Sequence, residues 1–408
     1  MSLSVLYVHN RYQERGGEDS VFEAESALLE SRGHRVARLE FDNKDLAQTQ
    51  GPATKLRLAA QAVWSRSAIK RLQAVLDEFQ PDVVHFHNTL PQVSPAAYRV
   101  ARRSGAAVLQ TLHNFRLVCP SGLMYRDGMP CESCIRQPVA LSGIVHGCYR
   151  GSRSQTATVA AMLSVHRALG TWKRDVDLYL SCSAFAKEKV SAGGYPADKI
   201  MVKPNFVYPD PGQGEHRGDY VLYASRVTET KGIRTLLQAY ADNPTGLPPL
   251  RVVHGGDLLP LVEEAAAKDP RITAMGQIHR DQVLEMMSEA RALVFPSIWY
   301  ENFPMAITEA FAIGLPVIGS RIGALPELIQ DGVNGLLFEP GSADDLAEQL
   351  RLVASDDERM AGMGQAARDT YVTRYSVDIA YELLLTAYLR ASRKPVSSLK
   401  QTLEAHVS

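Results

Sequence analysis

Short apolar runs alternate with longer amphipathic stretches along the whole chain. In the first half, the apolar runs predict strands at 4–8, 35–41, 83–86, 107–112 and 178–182. Patterns with helical spacing lie between them, the clearest at 19–31 and 184–191. Strands separated by helices indicate a parallel sheet that is covered on both faces.

The same alternation restarts after a loop at 208–218 that is rich in glycine and proline. It predicts strands at 220–224, 251–254, 272–275, 293–295 and 316–318, with helices between them and a last helix at 378–391. The pattern predicts two Rossmann-like, doubly wound α/β domains facing across a cleft, with ligands beyond the carboxyl ends of the strands. The predicted divisions are 1–206, with a cysteine-rich insertion at about 115–152; 207–375; and 376–408, a helix packing back toward the N-terminal domain and then a tail.

Length and composition agree with this prediction. The chain has 408 residues, of which 45% are hydrophobic and 22% are charged, which is typical of a globular protein with two domains. The sequence contains no run of the ~18–20 apolar residues that a membrane-spanning helix needs. Its N-terminus lacks the basic flank and apolar core of a signal peptide. We therefore expect a cytoplasmic protein.

Charge is distributed unevenly between the two halves. Residues 1–204 contain 26 Lys and Arg against 18 Asp and Glu, whereas the remainder has 18 against 27. One interpretation is chance distribution over solvated faces. The other is that the N-terminal half meets an anionic partner, such as the inner face of a membrane or a lipid-diphosphate acceptor. Nucleic acid is disfavoured because no basic stripe is interleaved with aromatic residues.

The stretch ENFPMAITE, from Glu301 to Glu309, is the most informative in the sequence. It follows a predicted strand, and Pro304 suits the first turn of a helix. The N–H groups of Met305 and Ala306 would then be free at the helix start, where they can bind an anion. Two carboxylates beside an anion site suit a ligand that also carries hydroxyls, as a sugar nucleotide does.

The segment SRVTETKG follows the first strand of the second half. Arg226 and Lys231 leave the carboxyl end of that strand together, and their charges suit a diphosphate. Alone, either residue could belong to a solvated surface loop. Together at a strand end, they predict phosphate binding.

These motifs, with the HGGD loop at 254–257, GLPVI at 314–318 and GALPE at 323–327, resemble the retaining glycosyltransferases of family 4, which have the GT-B fold. The resemblance implies that Glu309 binds the ribose and Glu301 the donor hexose. It implies that Arg226 and Lys231 hold the diphosphate and act in catalysis. It assigns the remaining donor contacts to Gly255, Gly256, Ile278, Asn302, Phe303, Pro304, Met305 and Ala306.

The N-terminal half adds two motifs to this resemblance. Gly16 and Gly17 follow the first strand, and two glycines permit a tight loop close to phosphate or sugar. His113 ends the strand at 107–112, where the family places a catalytic histidine that could donate a hydrogen bond to a sugar hydroxyl or a phosphate. The implied reaction transfers a hexose from a UDP- or GDP-sugar to a saccharide or lipid-linked acceptor, needs no cofactor, and serves surface polysaccharide assembly.

Four cysteines fall within the irregular segment at about 115–152: Cys119, Cys131, Cys134 and Cys148. A C-x2-C pair with two further cysteines at these distances is typical of a structural zinc site. Free buried thiols are the plain alternative. Disulfides come third, because cytosolic thiols stay reduced.

Other interpretations remain at this point. An NAD-dependent oxidoreductase shares Rossmann-like domains, but the loop at 9–17 lacks the G-x-G-x-x-G pattern. A GT-B enzyme that is not a transferase, such as a sugar-nucleotide epimerase, would share the donor motifs. A catalytically inactive sugar-binding protein would have less reason to retain the acids and cations named above.

Overall fold

Each half of the chain builds one six-stranded parallel sheet. The computed structural model describes residues 2–12, 16–43, 51–215 and 218–392. Two compact units divide the chain. The first comprises the chain up to Met124, Glu132–Pro204 and the chain from Ala380 onward, and the second comprises Tyr125–Cys131 and Asn205–Ile379.

The first unit contains a sheet with the strand order β2-β1-β3-β4-β7-β8, parallel throughout. Its central strands are apolar and fully buried, as a sheet covered on both faces requires. The strands of this sheet are β1 (Ser4–Arg11), β2 (Arg35–Asp42), β3 (Val83–Phe86), β4 (Ala107–Leu112), β7 (Leu178–Ser181) and β8 (Ile200–Val202). Between β4 and β7 along the chain, β5 (Tyr125–Arg126) and β6 (Met129–Pro130) form a small separate hairpin, which belongs to the second unit.

Eight helices accompany these strands in the described part of residues 2–204. Serine side chains cap several of them; Ser65 and Ser183, for example, each accept a hydrogen bond from the backbone N–H three residues on. The helices are α1 (Gly17–Ser31), α2 (Pro52–Val63), α3 (Arg66–Phe79), α4 (Ala96–Arg103), α5 (Leu141–His146), α6 (Arg153–Ala168), α7 (Thr171–Arg174) and α8 (Ala184–Ala192).

The second unit repeats the architecture with the strand order β11-β10-β9-β12-β13-β14, again all parallel. Its strands are β9 (Val221–Ala224), β10 (Leu250–Val253), β11 (Ile272–Gly276), β12 (Ala292–Phe295), β13 (Val317–Ser320) and β14 (Gly335–Phe338). Its helices are α9 (Ile233–Asp242), α10 (Leu259–Lys268), α11 (Arg280–Glu289), α12 (Met305–Ile313), α13 (Leu325–Leu328), α14 (Ala343–Ser355) and α15 (Asp357–Arg374).

The last described helix, α16 (Val377–Ala391), packs into the core of the first unit. Leu384, Ala387 and Tyr388 lie in the same buried cluster as residues of β1, β3, β4 and β7. The hydroxyl of Tyr388 is 2.9 Å from the hydroxyl of Tyr7. None of the described helices combines the length and apolar character that crossing a lipid bilayer requires.

Strand order in both sheets reverses beside the first strand of each unit. In the first sheet the reversal lies between β1 and β3, and in the second between β9 and β12. Loops that leave the carboxyl ends of two such strands diverge and open a crevice, where open α/β sheets bind their ligands. Each unit therefore has one place where a ligand site is expected.

Candidate functional site

Two loops of the second unit meet at its strand-order reversal. Lys231 ends the 3₁₀ turn Glu229–Lys231 that follows β9, and Glu301 lies in the loop after β12. Lys231 Nζ is 2.7 Å from Glu301 Oε1, and both side chains are largely buried. The structure thus joins one cation and one acid that the sequence places 70 residues apart.

Glu301 is held from three sides. Besides Lys231, its Oε1 accepts hydrogen bonds from Ser297 Oγ and Trp299 Nε1, each at 2.6 Å. Lys231 Nζ also lies 5.1 Å from the ring centroid of Phe295. One carboxylate oxygen is therefore fixed by three donors. Ser297 and Trp299 could not be predicted from the sequence, because neither belongs to a charged or glycine-rich pattern.

Glycines permit the close approach of these loops. Gly232 has φ +70°, and a Cβ there would lie 1.7 Å from the backbone oxygen of Pro296. Gly323 has φ +60°, and a Cβ there would lie 2.7 Å from the backbone nitrogen of Glu301. No side chain fits at either distance. The backbone around Glu301 is therefore set by glycines on two neighbouring loops.

The loops after β9 and β10 also interlock. Val227 N donates to Gly255 O at 3.0 Å, and a Cβ on Gly256 would lie 2.2 Å from Val227 O. This contact places Arg226, whose side chain is exposed, beside the two glycines. The backbone at Val227 therefore joins the loop that carries Arg226 to the loop that carries Gly255 and Gly256.

Glu309 lies on α12, one turn after Met305, and is paired differently from Glu301. Its Oε1 accepts a hydrogen bond from Arg280 Nη2 at 2.8 Å. Burial raises the pKa of Glu309 against the opposing effect of Arg280. Arg280 begins α11, two residues after Ile278, and sequence reasoning missed it because nothing near it in the chain suggests a carboxylate partner.

The start of α12 corrects one prediction. Pro304 was expected within the first helical turn, but its ψ of 123° is extended, and it precedes the helix as its N-cap residue. The helix begins at Met305, so the N–H groups of Met305 and Ala306 lie in its first turn as predicted. Phe303 is buried edge-on against Tyr375, at 5.5 Å between centroids, while the adjoining Asn302 is partly exposed.

In the first unit, Gly16 and His113 belong to one neighbourhood. Gly16 is the N-cap residue of α1 and Gly17 is its first residue; the N–H of Gly16 donates to Asp19 Oδ2 at 2.9 Å. Asn114 Nδ2 donates to Glu18 Oε1 at 2.9 Å, which ties the start of α1 to the end of β4. His113 and Glu18 line one pocket together with Asn88, Asn114, Arg116 and Trp172.

Two family models cover most of the chain. A model described as glycosyl transferase 4-like domain matches residues 16–205, and one described as glycosyl transferases group 1 matches residues 211–370. The chain belongs to the group 1 glycosyltransferases. Their GT-B fold accounts for the two sheets, and the second model spans the residues from Arg226 to Glu309 that are predicted to bind the donor.

Curated relatives of this glycosyltransferase include AmsK of Erwinia amylovora, an amylovoran biosynthesis glycosyltransferase. AmsK is 28% identical over 223 residues, which are 51% of this chain and 55% of AmsK. The O-antigen chain mannosyltransferase B of Escherichia coli is 28% identical over 249 residues, 54% of this chain and 63% of the relative. The matching part of the chain thus spans between half and two thirds of these relatives.

Solved structures show the fold of this glycosyltransferase more completely. Anabaena HepE, determined in complex with UDP, superposes with a TM-score of 0.63 at 17% identity. The match covers 95% of this chain and 99% of HepE. This likeness confirms the predicted GT-B fold, and the two family models confirm the predicted family.

Zinc binding by the four cysteines of this glycosyltransferase stays a prediction. Cys119, Cys131, Cys134 and Cys148 are each half-buried, and four cysteines are a usual ligand set for structural zinc. We expect about one zinc per purified chain by elemental analysis, lost in Cys134→Ser. The buried Cys182, outside the segment, provides the control, because Cys182→Ser should keep the metal. Metal-free protein with four titratable thiols would contradict the prediction.

Proposed function

We propose that this chain is a retaining hexosyltransferase that takes its donor from a nucleotide-diphosphate sugar. The observation that carries the proposal is the contact of Lys231 with Glu301 at the strand-order reversal of the second sheet, in the loop that leads into α12. An ammonium and free helix N–H groups suit a diphosphate, and a fixed carboxylate suits sugar hydroxyls. The complex of HepE with UDP supports a nucleotide donor.

The proposed reaction is a front-face displacement. The acceptor hydroxyl oxygen attacks C1 of the hexose while the bond from C1 to the diphosphate oxygen breaks, and the departing diphosphate receives the hydroxyl proton. Negative charge grows on the leaving group, and prepositioned donors stabilise it. Arg226 and Lys231 supply the cations, and Glu309, held by Arg280, supplies an acceptor for ribose hydroxyls.

The proposed acceptor is a saccharide or a lipid-linked saccharide in the assembly of a surface polysaccharide. The names of AmsK and of the O-antigen mannosyltransferase support this class. Contact with an anionic membrane stays a prediction from the basic N-terminal half. Exposed apolar side chains on α5, Leu141 and Val145, are compatible with such a contact.

A donor panel followed by product analysis tests the proposal. We expect one of the UDP-, GDP- and ADP-sugars to raise the melting temperature, and that donor to release its nucleoside diphosphate only when a saccharide acceptor is present. Proton NMR of the product should show the anomeric configuration of the donor. Conversion of the sugar nucleotide without acceptor would indicate an epimerase. Binding without turnover for any acceptor would indicate an inactive sugar-binding protein.

A further inference from the structure

A chain of buried side chains leads from His113 into the core of the first unit. His113 Nε2 is 2.9 Å from His87 Nδ1, and His87 Nε2 is 3.4 Å from Glu25 Oε2. The other oxygen of Glu25 contacts Lys203 Nζ. His87, Glu25 and Lys203 are at most 1% exposed, although they come from three separate elements of the chain.

The charges along this chain of side chains follow from burial and pairing. Burial acts to raise the pKa of Glu25, but Lys203 and the histidines hold it well below its usual range, so Glu25 is a carboxylate. Burial lowers the pKa of His87 and lowers that of His113 further, so both rings are neutral. A neutral imidazole has one N–H donor and one bare acceptor nitrogen.

The carboxylate decides which nitrogen carries each proton. His87 Nε2 and Glu25 Oε2 are both buried and neither makes a hydrogen bond within the described residues, so that His87 Nε2 faces the carboxylate across 3.4 Å. If Nε2 carried no proton, its lone pair would face the negatively charged carboxylate of Glu25 and be repelled. The proton of His87 therefore lies on Nε2. His87 Nδ1 is then an acceptor, and His113 must donate to it from Nε2. The remaining nitrogen of His113, Nδ1, is bare.

A second histidine in the same unit follows the same rule. Backbone N–H of Asn88 donates to His9 Nδ1 at 3.4 Å, which requires that nitrogen to be bare. The proton of His9 therefore lies on Nε2, which is 2.8 Å from Asp19 Oδ1. Here an independent donor fixes the tautomer, and the protonated nitrogen again faces the carboxylate.

We propose that Glu25 and His87 are positioning residues that fix His113 in the Nε2-protonated tautomer, so that its Nδ1 accepts a hydrogen bond from a substrate hydroxyl. His113 lines the pocket at the end of β4. A bare nitrogen repels a phosphate oxygen, which also has only lone pairs, but it suits a sugar hydroxyl. This revises the expectation that His113 donates a hydrogen bond. The inference rests on the proposed function for the identity of the ligand, but not for the tautomer.

The alternative interpretation is that the buried side chains around Glu25 bind a metal ion. Within the described part of the chain, Glu25, His85 and His87 form the one group whose potential ligand atoms all lie within 4.8 Å of one another. The Lys203 ammonium already contacts Glu25 and supplies a positive charge in the protein itself. A metal on His87 Nε2 would require that nitrogen to be deprotonated, so the two alternatives predict opposite proton positions.

Nitrogen NMR of the full-length chain with ¹⁵N-labelled histidine tests the proposal without any substrate. The His113 signal is assigned by its loss in His113→Asn. We expect His113 and His87 each to carry the proton on Nε2 at neutral pH. In His87→Leu, which removes the acceptor, His113 should exchange between tautomers. His87→Asn, whose amide oxygen can take the place of Nδ1, should restore the single form.

A further double variant and a kinetic measurement separate positioning from folding. Glu25→Gln with Lys203→Met removes both buried charges together, so that neither remains unpaired, and it should release the tautomers of His87 and His113. Melting temperatures identify any variant that fails to fold. With an active donor and acceptor, His87→Leu should lower kcat/KM for the acceptor about tenfold, as loss of one hydrogen bond does, and His87→Asn should recover most of it.

Three results would overturn the proposal: a proton on Nδ1 of His113, an unchanged tautomer in His87→Leu, or a metal bound in the wild-type protein and lost in Glu25→Gln. Because the NMR result needs neither donor nor acceptor, it remains informative if the chain transfers no sugar. Conversely, transfer activity with the wrong tautomer would reject this inference and leave the proposed function intact.

Discussion

Lys231→Ala is expected to reduce turnover by about 10²–10³-fold, the usual cost of losing one donor that stabilises charge in a transition state. In the structure, Lys231 Nζ is the cation bound to Glu301 Oε1, and its side chain is only 15% exposed. Once Lys231 is replaced, the negative charge on the departing diphosphate would lack the fixed positive charge that the ammonium is proposed to supply. The effect should therefore fall mainly on kcat, with a smaller change in donor affinity.

The measurement is steady-state release of nucleoside diphosphate, with donor affinity determined separately by calorimetry. Lys268→Ala is the matched control, because Lys268 forms an exposed ion pair with Glu264 on α10 and should have no effect. A folded Lys231→Ala protein with near-normal turnover would remove the leaving-group role from Lys231. An equal loss of affinity and of turnover would assign it to ground-state binding instead.

Gly232→Ala is expected to destabilise the second unit by about 2–5 kcal/mol. Left-handed backbone costs a residue with a Cβ roughly 1–2 kcal/mol, and an overpacked contact adds about 1–3 kcal/mol. The contact is with the backbone oxygen of Pro296, 1.7 Å from the ideal Cβ position, so no side-chain rotation can relieve it. The shift it forces would also move Lys231, and activity should fall with stability.

Gly246→Ala serves to separate two costs of Gly232→Ala: that of the left-handed backbone conformation and that of the contact with Pro296. Gly246 has φ +82°, close to that of Gly232, but a Cβ there meets nothing within 4 Å. Chemical denaturation of both variants should show a modest loss for Gly246→Ala and a much larger one for Gly232→Ala. Equal losses would mean that the loop after β12 yields to the added methyl group and does not fix the site.

The alternation of buried strands and helices could be predicted reliably from the sequence, because parallel strands that are covered on both faces appear as continuous apolar runs. Four strands escaped prediction. Two are the two-residue strands β5 and β6 of the small hairpin. The others are β8, which has only three residues, and β14, which follows a turn and has the sequence Gly-Leu-Leu-Phe. The first strand was predicted to end at Val8 but continues to Arg11. His9 and Asn10 interrupt the apolar run although both are fully buried, since their polar atoms have partners inside the fold.

Within the site, residues that belong to a sequence motif could be predicted, whereas residues identified only by a contact in the fold could not. Lys231 and Glu301 each belong to a recognisable segment, and the structure joins them. Arg280 has no such segment and is identified only by its contact with Glu309. The sequence shows only that His87 follows a strand, and it does not indicate the role of this histidine. Glu25, which faces His87, is 62 residues away, and Lys203, which contacts Glu25, is 116 residues from His87, so only the folded chain brings them together.

Because α16 packs in the first unit, recombination between members of this family can exchange donor specificity only in a restricted way. A donor-binding half could not be transplanted with a single crossover, because everything after Ala380 must remain with the amino-terminal partner. A chimera joined once, near residue 205, would set a foreign helix against Tyr7 and His85, where Tyr388 now lies. Recombination that preserves folding therefore needs two junctions, and the second must fall close to the start of that helix.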